Sequence, residues 1–294
     1  MTANTKPILT LEDHENPIIT PDDHTNPILN PEEQQWLLIH LQDCVHPDSQ
    51  LKKQHFTTVA SYPLAPSRRP AGGVIRYNEF MTTPPSNPSQ TSRKAIAIDC
   101  EMVGVMGNRR ELAFLVVVDL LTGEVLVNHF VHPTNTVRNW HTRWSGVTCA
   151  DMKAAVRKGV AIKGWKAARA MLFEHMDSRT ILVGHALHND LNVLGIIHST
   201  VIDTAILTAD AVYKPLAKPF RRTWSLKTLA NELIGYKIQR GKNGHSALED
   251  TMATRSVLIY CTRNPLKLEA WADKARGEEP VQHEEPIQSD DSEW

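Results

Sequence analysis

Short aliphatic segments, separated by turn residues and by stretches with helical spacing, recur along residues 95–203. The first three are rich in aliphatic and β-branched residues, which predicts strands at Ala95–Cys100, Leu112–Asp119 and Glu124–Val131. The short turn Leu121–Gly123 joins the second and third strands as a hairpin. Because helices and strands then alternate, we predict an α/β domain with a mixed sheet flanked by helices.

Capping residues mark where later helices begin. Thr148-x-x-Asp151 and Ser246-x-x-Glu249 are capping boxes, and Gly235 stops a third helix. We expect further helices at Trp165–Met176, Asn189–Gly195, Ser225–Ile234 and Ala247–Cys261, and further strands at Thr180–Gly184 and Thr200–Asp203.

A decapeptide repeat occupies the N-terminus, with the units KPILTLEDHE, NPIITPDDHT and NPILNPEEQQ. We predict that residues 1–35 form a flexible acidic tail, which either remains solvated or docks its Pro-aliphatic units on a protein partner. Residues 36–93 are interpreted as a short helix, Trp36–Leu41, and a Pro-rich linker. The folded domain is predicted at 94–273, followed by an acidic disordered tail at 274–294.

Charge is unevenly distributed along the chain. The formal net charge is -1, yet residues 1–35 carry seven acids and one base, and residues 274–294 carry seven acids and two bases. The middle of the chain is therefore basic, which fits an anionic partner such as nucleic acid. Basic residues that only solvate helix faces are the alternative interpretation.

Composition excludes several other classes of protein. A hydrophobic content of 41% rules out a fully disordered chain. The longest apolar run, Leu112–Val118, is far shorter than the roughly 20 residues that cross a bilayer. The scattered cysteines form no CxxC pair and no secretory signal is visible, so we expect an intracellular protein without a membrane or zinc site.

Four carboxylates and a histidine stand where predicted elements begin or end. Asp99 and Glu101 are two residues apart at the end of a strand, so they project from one face. Asp190 follows another strand, Asp250 lies near the start of the last helix, and His245 precedes that helix on a glycine-containing loop that we expect to be mobile. Simple capping by Asp190, a favourable helix-dipole position for Asp250 and a surface position for His245 are the alternatives.

Taken together, these residue types indicate a metal-dependent hydrolysis. Carboxylates without cysteine ligands suit Mg²⁺ or Mn²⁺, and two such ions about 4 Å apart can clamp the oxygens of a phosphodiester. A histidine can accept a proton from an attacking water near neutral pH.

Three segments that contain these residues resemble the exonuclease motifs of the DEDDh superfamily: AIDCEMVGV, LVGHALHNDL and SLKTLANELIGYKIQRGKNGHSALED. The similarity covers roughly Ala95 to Cys261 and lies closest to the RNA exonucleases that process ribosomal RNA precursors and to the interferon-stimulated exonuclease. It implies a ribonuclease H-like fold, removal of nucleotides from 3′ ends and release of nucleoside 5′-monophosphates.

The resemblance also implies roles for individual residues. It assigns two metal ions and catalysis to four acids: Asp99, Glu101, Asp190 and Asp250. It makes His245 the general base. It places substrate or supporting contacts at five further positions: Met102, Val103, His185, Asn189 and Trp144.

This chain departs from the resemblance in two places. The L-A-R segment of many members is Leu112-Ala113-Phe114 here, so if that arginine helps to hold the substrate, substrate binding differs in this chain. The loop 137–144 contains Trp140 and Trp144, which either stack on bases or belong to the core or a lid. Five basic residues are candidates for phosphate contacts: Arg138, Arg143, Arg221, Arg222 and Lys227.

We therefore predict a 3′→5′ exonuclease that acts on single-stranded RNA in RNA processing or turnover. The same chemistry on single-stranded DNA is one alternative, since no motif reveals a contact to a 2′-hydroxyl. An inactive nuclease-like scaffold that binds nucleic acid is another. The resemblance alone suggests the nucleus or nucleolus, with the cytoplasm as the alternative location.

Overall fold

The structure, a computed structural model, describes residues 26–60, 67–87, 91–240 and 244–277. The first two repeat units and nearly all of the C-terminal acidic segment lie outside these ranges. The prediction that they are flexible therefore concerns residues outside the described part of the chain.

The described residues form short and long strands together with helices of 4 to 17 residues. The strands, in chain order, are β1 (Met81–Thr82), β2 (Ala95–Val105), β3 (Arg109–Asp119), β4 (Val125–His132), β5 (Val137–Asn139), β6 (Ile162–Lys163), β7 (Ile181–Gly184), β8 (Ile196–Ile197) and β9 (Val201–Asp203). The helices are α1 (Pro31–Asp43), α2 (Asp48–Lys53), α3 (Thr142–Ser145), α4 (Cys149–Arg157), α5 (Gly164–Phe173), α6 (His188–Leu194), α7 (Thr204–Tyr213), α8 (Leu226–Ile234), α9 (Ala247–Arg263) and α10 (Pro265–Gly277).

The main sheet is mixed, and β2 lies at its centre. Its strand order is β6-β4-β3-β2-β7-β9, with β5 paired to the far end of β2. Strands β2, β3 and β4 are antiparallel, whereas β7 and β9 continue the sheet in parallel from β2. This arrangement confirms the predicted α/β domain with a mixed sheet and a β3–β4 hairpin.

Side chains of β2 alternate between two layers of helices. Ile96 and Ile98 belong to a core that includes residues of α5 and α6. Ala95 and Ala97 pack with residues of α1 and α9 on the other side. Because residues two apart on a strand share a face, Asp99 continues the face that α9 covers.

Four of the helices in the described residues were not predicted from the sequence: α2, α3, α7 and α10. Helix α7 begins at Thr204, where Asp203 caps it by accepting a hydrogen bond from the backbone of Ala205. Most of its residues are buried, so it lacks the polar stripe that marks an amphipathic helix. Helix α10 follows directly after α9. None of the helices in the described residues is long and apolar enough to cross a membrane.

Helix α1 is longer than the predicted Trp36–Leu41. Asn30 and Glu33 form a capping box, in which each side chain accepts a hydrogen bond from the other residue's backbone N–H. Pro31 occupies the first turn, where its missing N–H costs nothing. The predicted extended tail is therefore wrong for residues 31–35, which belong to this helix.

The predicted linker packs on the domain in its described part. Ile75 and Phe80 are buried in the main core, and β1 pairs in parallel with β8. Prolines do prevent long regular elements here, but they leave other backbone groups and apolar side chains available for packing.

Arg255, on helix α9, joins this helix to the N-terminal segment and to the residue that follows β3. Its side chain is fully buried, and the guanidinium donates to the carbonyl oxygens of Leu120 at 2.7 Å and Pro27 at 3.0 Å and to the Asn26 side chain at 2.9 Å. Burial lowers the pKa of Arg255 to about 10. This one side chain therefore satisfies backbone groups that are far apart in sequence.

We predict that Arg255→Ala destabilises the protein by about 2–4 kcal/mol, because it removes several charge-assisted hydrogen bonds and leaves buried acceptors unpaired. Arg157→Ala is the matched control, since Arg157 is exposed on α4, and it should change stability by less than about 0.5 kcal/mol. Urea unfolding of the two variants measures both values. Equal losses would contradict the role assigned to Arg255.

Candidate active site

Four acids from three elements meet beside the middle of β2, which continues to Val105 rather than ending at Cys100 as predicted. Asp99 and Glu101 lie on β2, Asp190 on α6 and Asp250 in the first turn of α9. Asp190 and Asp250 are buried, with only 4% and 5% of their surface exposed. The charges that act on Asp99 are those of Asp190, Glu101 and Asp250, so the four predicted acids are brought together.

Burial and mutual repulsion raise the pKa values of this group. Burial is the largest cause for each acid, and it raises the pKa to about 8 for Glu101, to about 7 for Asp190 and to about 6 for Asp250. The pKa of Asp99 is raised well above its ordinary value, first by burial and then by the neighbouring acids. The site therefore holds negative charge that the surrounding protein compensates poorly.

Asp190 is positioned by a tight turn before α6. Asp203 is 1% exposed, and its carboxylate accepts hydrogen bonds from the backbone of Ala186 at 3.0 Å and Leu187 at 2.8 Å. Burial raises the pKa of Asp203 to about 6, although these hydrogen bonds oppose the shift. Asp203 thus fixes the turn that carries Asp190.

Gln239 contacts Asp250 and was not predicted as a site residue. Its side-chain amide donates to both carboxylate oxygens, at 3.2 and 3.0 Å. His245 Nδ1 lies 3.4 Å from one of the same oxygens. Gln239 lies in the third exonuclease-like segment, but an amide has no spacing rule comparable to that of a metal ligand, so sequence reasoning passed over it.

His245 is held against α3 by its own backbone. Its N–H donates to the carbonyl oxygen of Trp144 at 3.0 Å. The preceding Gly244 has φ +91°, and a Cβ there would overlap the Thr142 carbonyl oxygen and lie 2.5 Å from the Gly146 nitrogen. Gly244 therefore allows His245 to pack closely on α3, whereas residues 241–243 of the loop that is predicted to be mobile lie outside the described residues.

Two predicted substrate contacts on β2 differ sharply in exposure. Met102 is half-buried and packs against the main core. Val103 is 0% exposed and packs with Ala113, Val147 and Met152. A side chain without exposed surface cannot pack on a nucleotide, so the expectation for Val103 is corrected. The bulge in β2–β3 pairing between Glu101 and Met102 changes which side chains face inward.

His185 and Asn189 form hydrogen bonds with neighbouring residues of the protein. His185 Nδ1 lies 2.9 Å from the Thr204 hydroxyl, and burial lowers the pKa of His185 to about 4, so the ring is neutral at pH 7. Asn189 donates its side-chain amide to the Ala186 carbonyl at 3.1 Å. Both residues support the turn before α6 in this structure.

The two tryptophans of the 137–144 loop have different surroundings. Trp140 is half-buried and packs on the cluster around Val103. Trp144 is 59% exposed, beside the backbone of His245. Of the two alternatives, Trp140 thus serves the core, while the ring of Trp144 is available for a ligand.

The donor chemistry of the acidic group fits hard divalent cations. Oxygen ligands are what Mg²⁺ and Mn²⁺ prefer, and positive charge would relieve the repulsion that raises these pKa values. Within the described residues, however, no three His, Cys, Asp or Glu side chains are already arranged to hold a metal ion. Asp190 accepts a hydrogen bond from the Cys100 thiol and Asp250 two from Gln239, so ions would have to replace these donors.

A basic domain that gathers four acids beside its central strand has the organisation of a nuclease. Residues 96–258, more than half of the chain, match the family model described as an exonuclease. The chain therefore belongs to this exonuclease family, which confirms the predicted membership of the DEDDh superfamily.

Named relatives and a solved structure agree with this membership. The chain is 33% identical over 190 residues to RNA exonuclease 3 of Candida albicans. This alignment covers 64% of this chain and 42% of the relative. It is 36% identical over 201 residues to apoptosis-enhancing nuclease of Homo sapiens, with 66% and 53% covered. The chain therefore spans only about half of the length of these two relatives.

The fold is similar to that of the Saccharomyces cerevisiae Pan2 pseudoubiquitin hydrolase-RNA exonuclease module in complex with AAGGAA RNA. The TM-score is 0.54 at 22% identity, covering 65% of this chain and 32% of the other. This similarity confirms the ribonuclease H-like fold.

We predict that the four acids make the metal-free protein less stable as the pH rises from about 4 to about 8. Their folded-state pKa values are raised, so in this window the unfolded state releases protons first and is favoured. Asp99→Asn should therefore be more stable than wild type near pH 8, with a thermal midpoint higher by about 2–4 °C per kcal/mol, and the difference should shrink near pH 4. Thermal unfolding in EDTA tests this, and a difference independent of pH would contradict it.

We predict that Gly244→Ala lowers nuclease activity by about 10²-fold, because the added Cβ pushes the His245 loop away from α3. Gly277→Ala is the control, since its Cβ would meet nothing within 4 Å. Comparing the hydrolysis rates of the two variants measures the effect. A wild-type rate for Gly244→Ala would show that this packing does not position His245.

Proposed function

We propose that this protein is a 3′→5′ exonuclease that uses divalent metal ions to release nucleoside 5′-monophosphates from single-stranded RNA. The observation that carries the proposal is the convergence of four acids with raised pKa values, two of them buried and two half-buried, beside a half-exposed histidine. Buried acids without compensating charge are costly for a fold, which favours a catalytic use.

In this proposal, Mg²⁺ or Mn²⁺ is held by Asp99, Glu101, Asp190 and Asp250. When bound, two such ions supply positive charge to the scissile phosphodiester. Cys100 and Gln239 hold two of these carboxylates in the metal-free protein.

His245 is the proposed general base. The Asp250 carboxylate lies 3.4 Å from Nδ1, which orients the ring and leaves Nε2 to accept a proton from the attacking water. The side chain is 36% exposed, so water can reach it. Trp144 lies on the same side, where its exposed ring can stack on a base of the substrate.

RNA is the preferred substrate in this proposal because of two relatives. One is named RNA exonuclease 3, and the Pan2 module of similar fold was solved with RNA. Single-stranded DNA is the competing substrate, and matched RNA and DNA oligonucleotides degraded side by side decide between them.

The central test is hydrolysis of 5′-labelled RNA with and without Mg²⁺. A ladder that shortens from the 3′ end, with mononucleotide 5′-phosphates as product, is expected only with metal. An internal cut or a metal-independent ladder would overturn the proposal. Asp250→Asn should abolish the ladder.

His245→Ala separates the base from the metal ligands. It should lower the rate by about 10²–10⁴-fold, the usual effect of removing a general base. Mg²⁺ binding by calorimetry should remain, whereas Asp250→Asn should weaken it. Loss of Mg²⁺ binding in His245→Ala would instead assign His245 to the metal site.

A further inference from the structure

A second concave surface lies beyond the acids, at the far end of β2. It consists of two adjoining cavities of about 600 and 860 Å³ that share Gly72, Gly107, Asn108 and Arg109. We call it the arginine groove after the five arginines that line it: Arg68, Arg69, Arg109, Arg110 and Arg138.

Both sides of the groove are fixed to the sheet. Arg109 and Arg110 begin β3, and Arg138 lies on β5, which pairs with β2. The opposite side is the segment 67–83, whose Gly72 carbonyl accepts a hydrogen bond from the Arg110 backbone at 2.7 Å. Buried Ile75 anchors this segment in the main core. The spacing of the arginines is therefore set by the fold.

The positive charges of the groove have no paired acids among the described residues. No Asp or Glu lines either cavity. Within the described part of the chain, no salt bridge joins any of the five to an acid, and only Arg69 makes a side-chain hydrogen bond, to the Val74 carbonyl at 3.0 Å. Arginines that merely solvate a surface have no reason to face one concavity without acids, so this pattern indicates an anionic ligand.

The groove lies on a direct path from the acids. Strand β2 runs from Glu101 to Gly104 and Val105, which line the groove, and four residues of strand span about 13 Å. Gly104 offers only backbone there, since a Cβ would lie 2.8 Å from Nε2 of His141. A strand of nucleic acid that ends at the acids can thus continue along β2 into the groove.

We propose that the arginine groove binds the phosphate backbone of single-stranded nucleic acid upstream of the 3′ nucleotide; the position of that nucleotide rests on the proposed function. Guanidinium groups bind phosphates through paired hydrogen bonds, and the rings of Tyr77 and His141 at the groove can stack on bases. Such contacts are independent of base sequence. Segment 67–83 lies outside the family match at 96–258, so one side of the groove is built by residues outside that match.

The first arm of the test measures binding in EDTA. Arg109→Ala/Arg110→Ala should lower the salt slope of binding to a single-stranded RNA of about 12 nucleotides by about 1.4, at roughly 0.7 per phosphate contact, and the affinity near 0.1 M salt by about twentyfold. Arg109→Lys/Arg110→Lys should keep the slope. The control Arg157→Ala/Lys158→Ala removes two exposed charges elsewhere and should not change it. An unchanged slope in the first variant, or an equal fall in the control, would overturn the proposal.

The second arm measures turnover against substrate length. A dinucleotide contains only the scissile phosphodiester and cannot place another phosphate in the groove. The alanine variant should therefore lower kcat/KM for the longer RNA and leave the dinucleotide unchanged, whereas an equal loss for both would overturn the proposal. If the wild type hydrolyses nothing while the slope still falls, the proposed function fails and the groove stands.

Discussion

Mutual repulsion among the four acids of the candidate active site sets what the surrounding fold must supply. Four like charges can gather beside the middle of β2 only if other parts of the fold hold them there. Alternation along β2 places Asp99 on the side of α9, and Asp203 fixes the turn that carries Asp190. Gln239 donates to Asp250. These contacts resist a separation that electrostatics alone would favour.

His245, the proposed base, and the four acids are held in place by different kinds of structure. The acids sit on a strand and two helices, which are rigid elements. His245 instead depends on a loop that touches α3 through Gly244 and through the Trp144 carbonyl. The same short helix carries the exposed ring of Trp144. A ligand that moves this helix would therefore move His245 as well, so in the proposed function substrate stacking on Trp144 and proton acceptance by His245 depend on the same helix.

Much of this domain could be predicted from local patterns. Aliphatic runs gave the central strands because buried strands need such residues, and capping side chains such as Thr148 and Ser246 marked helix starts. The acids were found because charge directly after a buried run is out of place. Helix α7 escaped prediction because burial on all sides removes its periodicity. Gln239, Arg255 and the burial of Val103 depend on tertiary contacts that no spacing encodes.

Helix α9 has a practical consequence for anyone who trims this protein. Asp250 lies at the start of this helix and Arg255 a little more than one turn later. The Arg255 guanidinium donates hydrogen bonds to the Asn26 side chain and the Pro27 carbonyl. A fragment cut to the family match would lose α1, leaving empty space where Leu37 and Leu41 now fill the core. Arg255 would keep the Leu120 carbonyl but lose Asn26 and Pro27. Excising the minimal homologous unit would thus weaken the support of Asp250 without altering any of the three exonuclease-like segments.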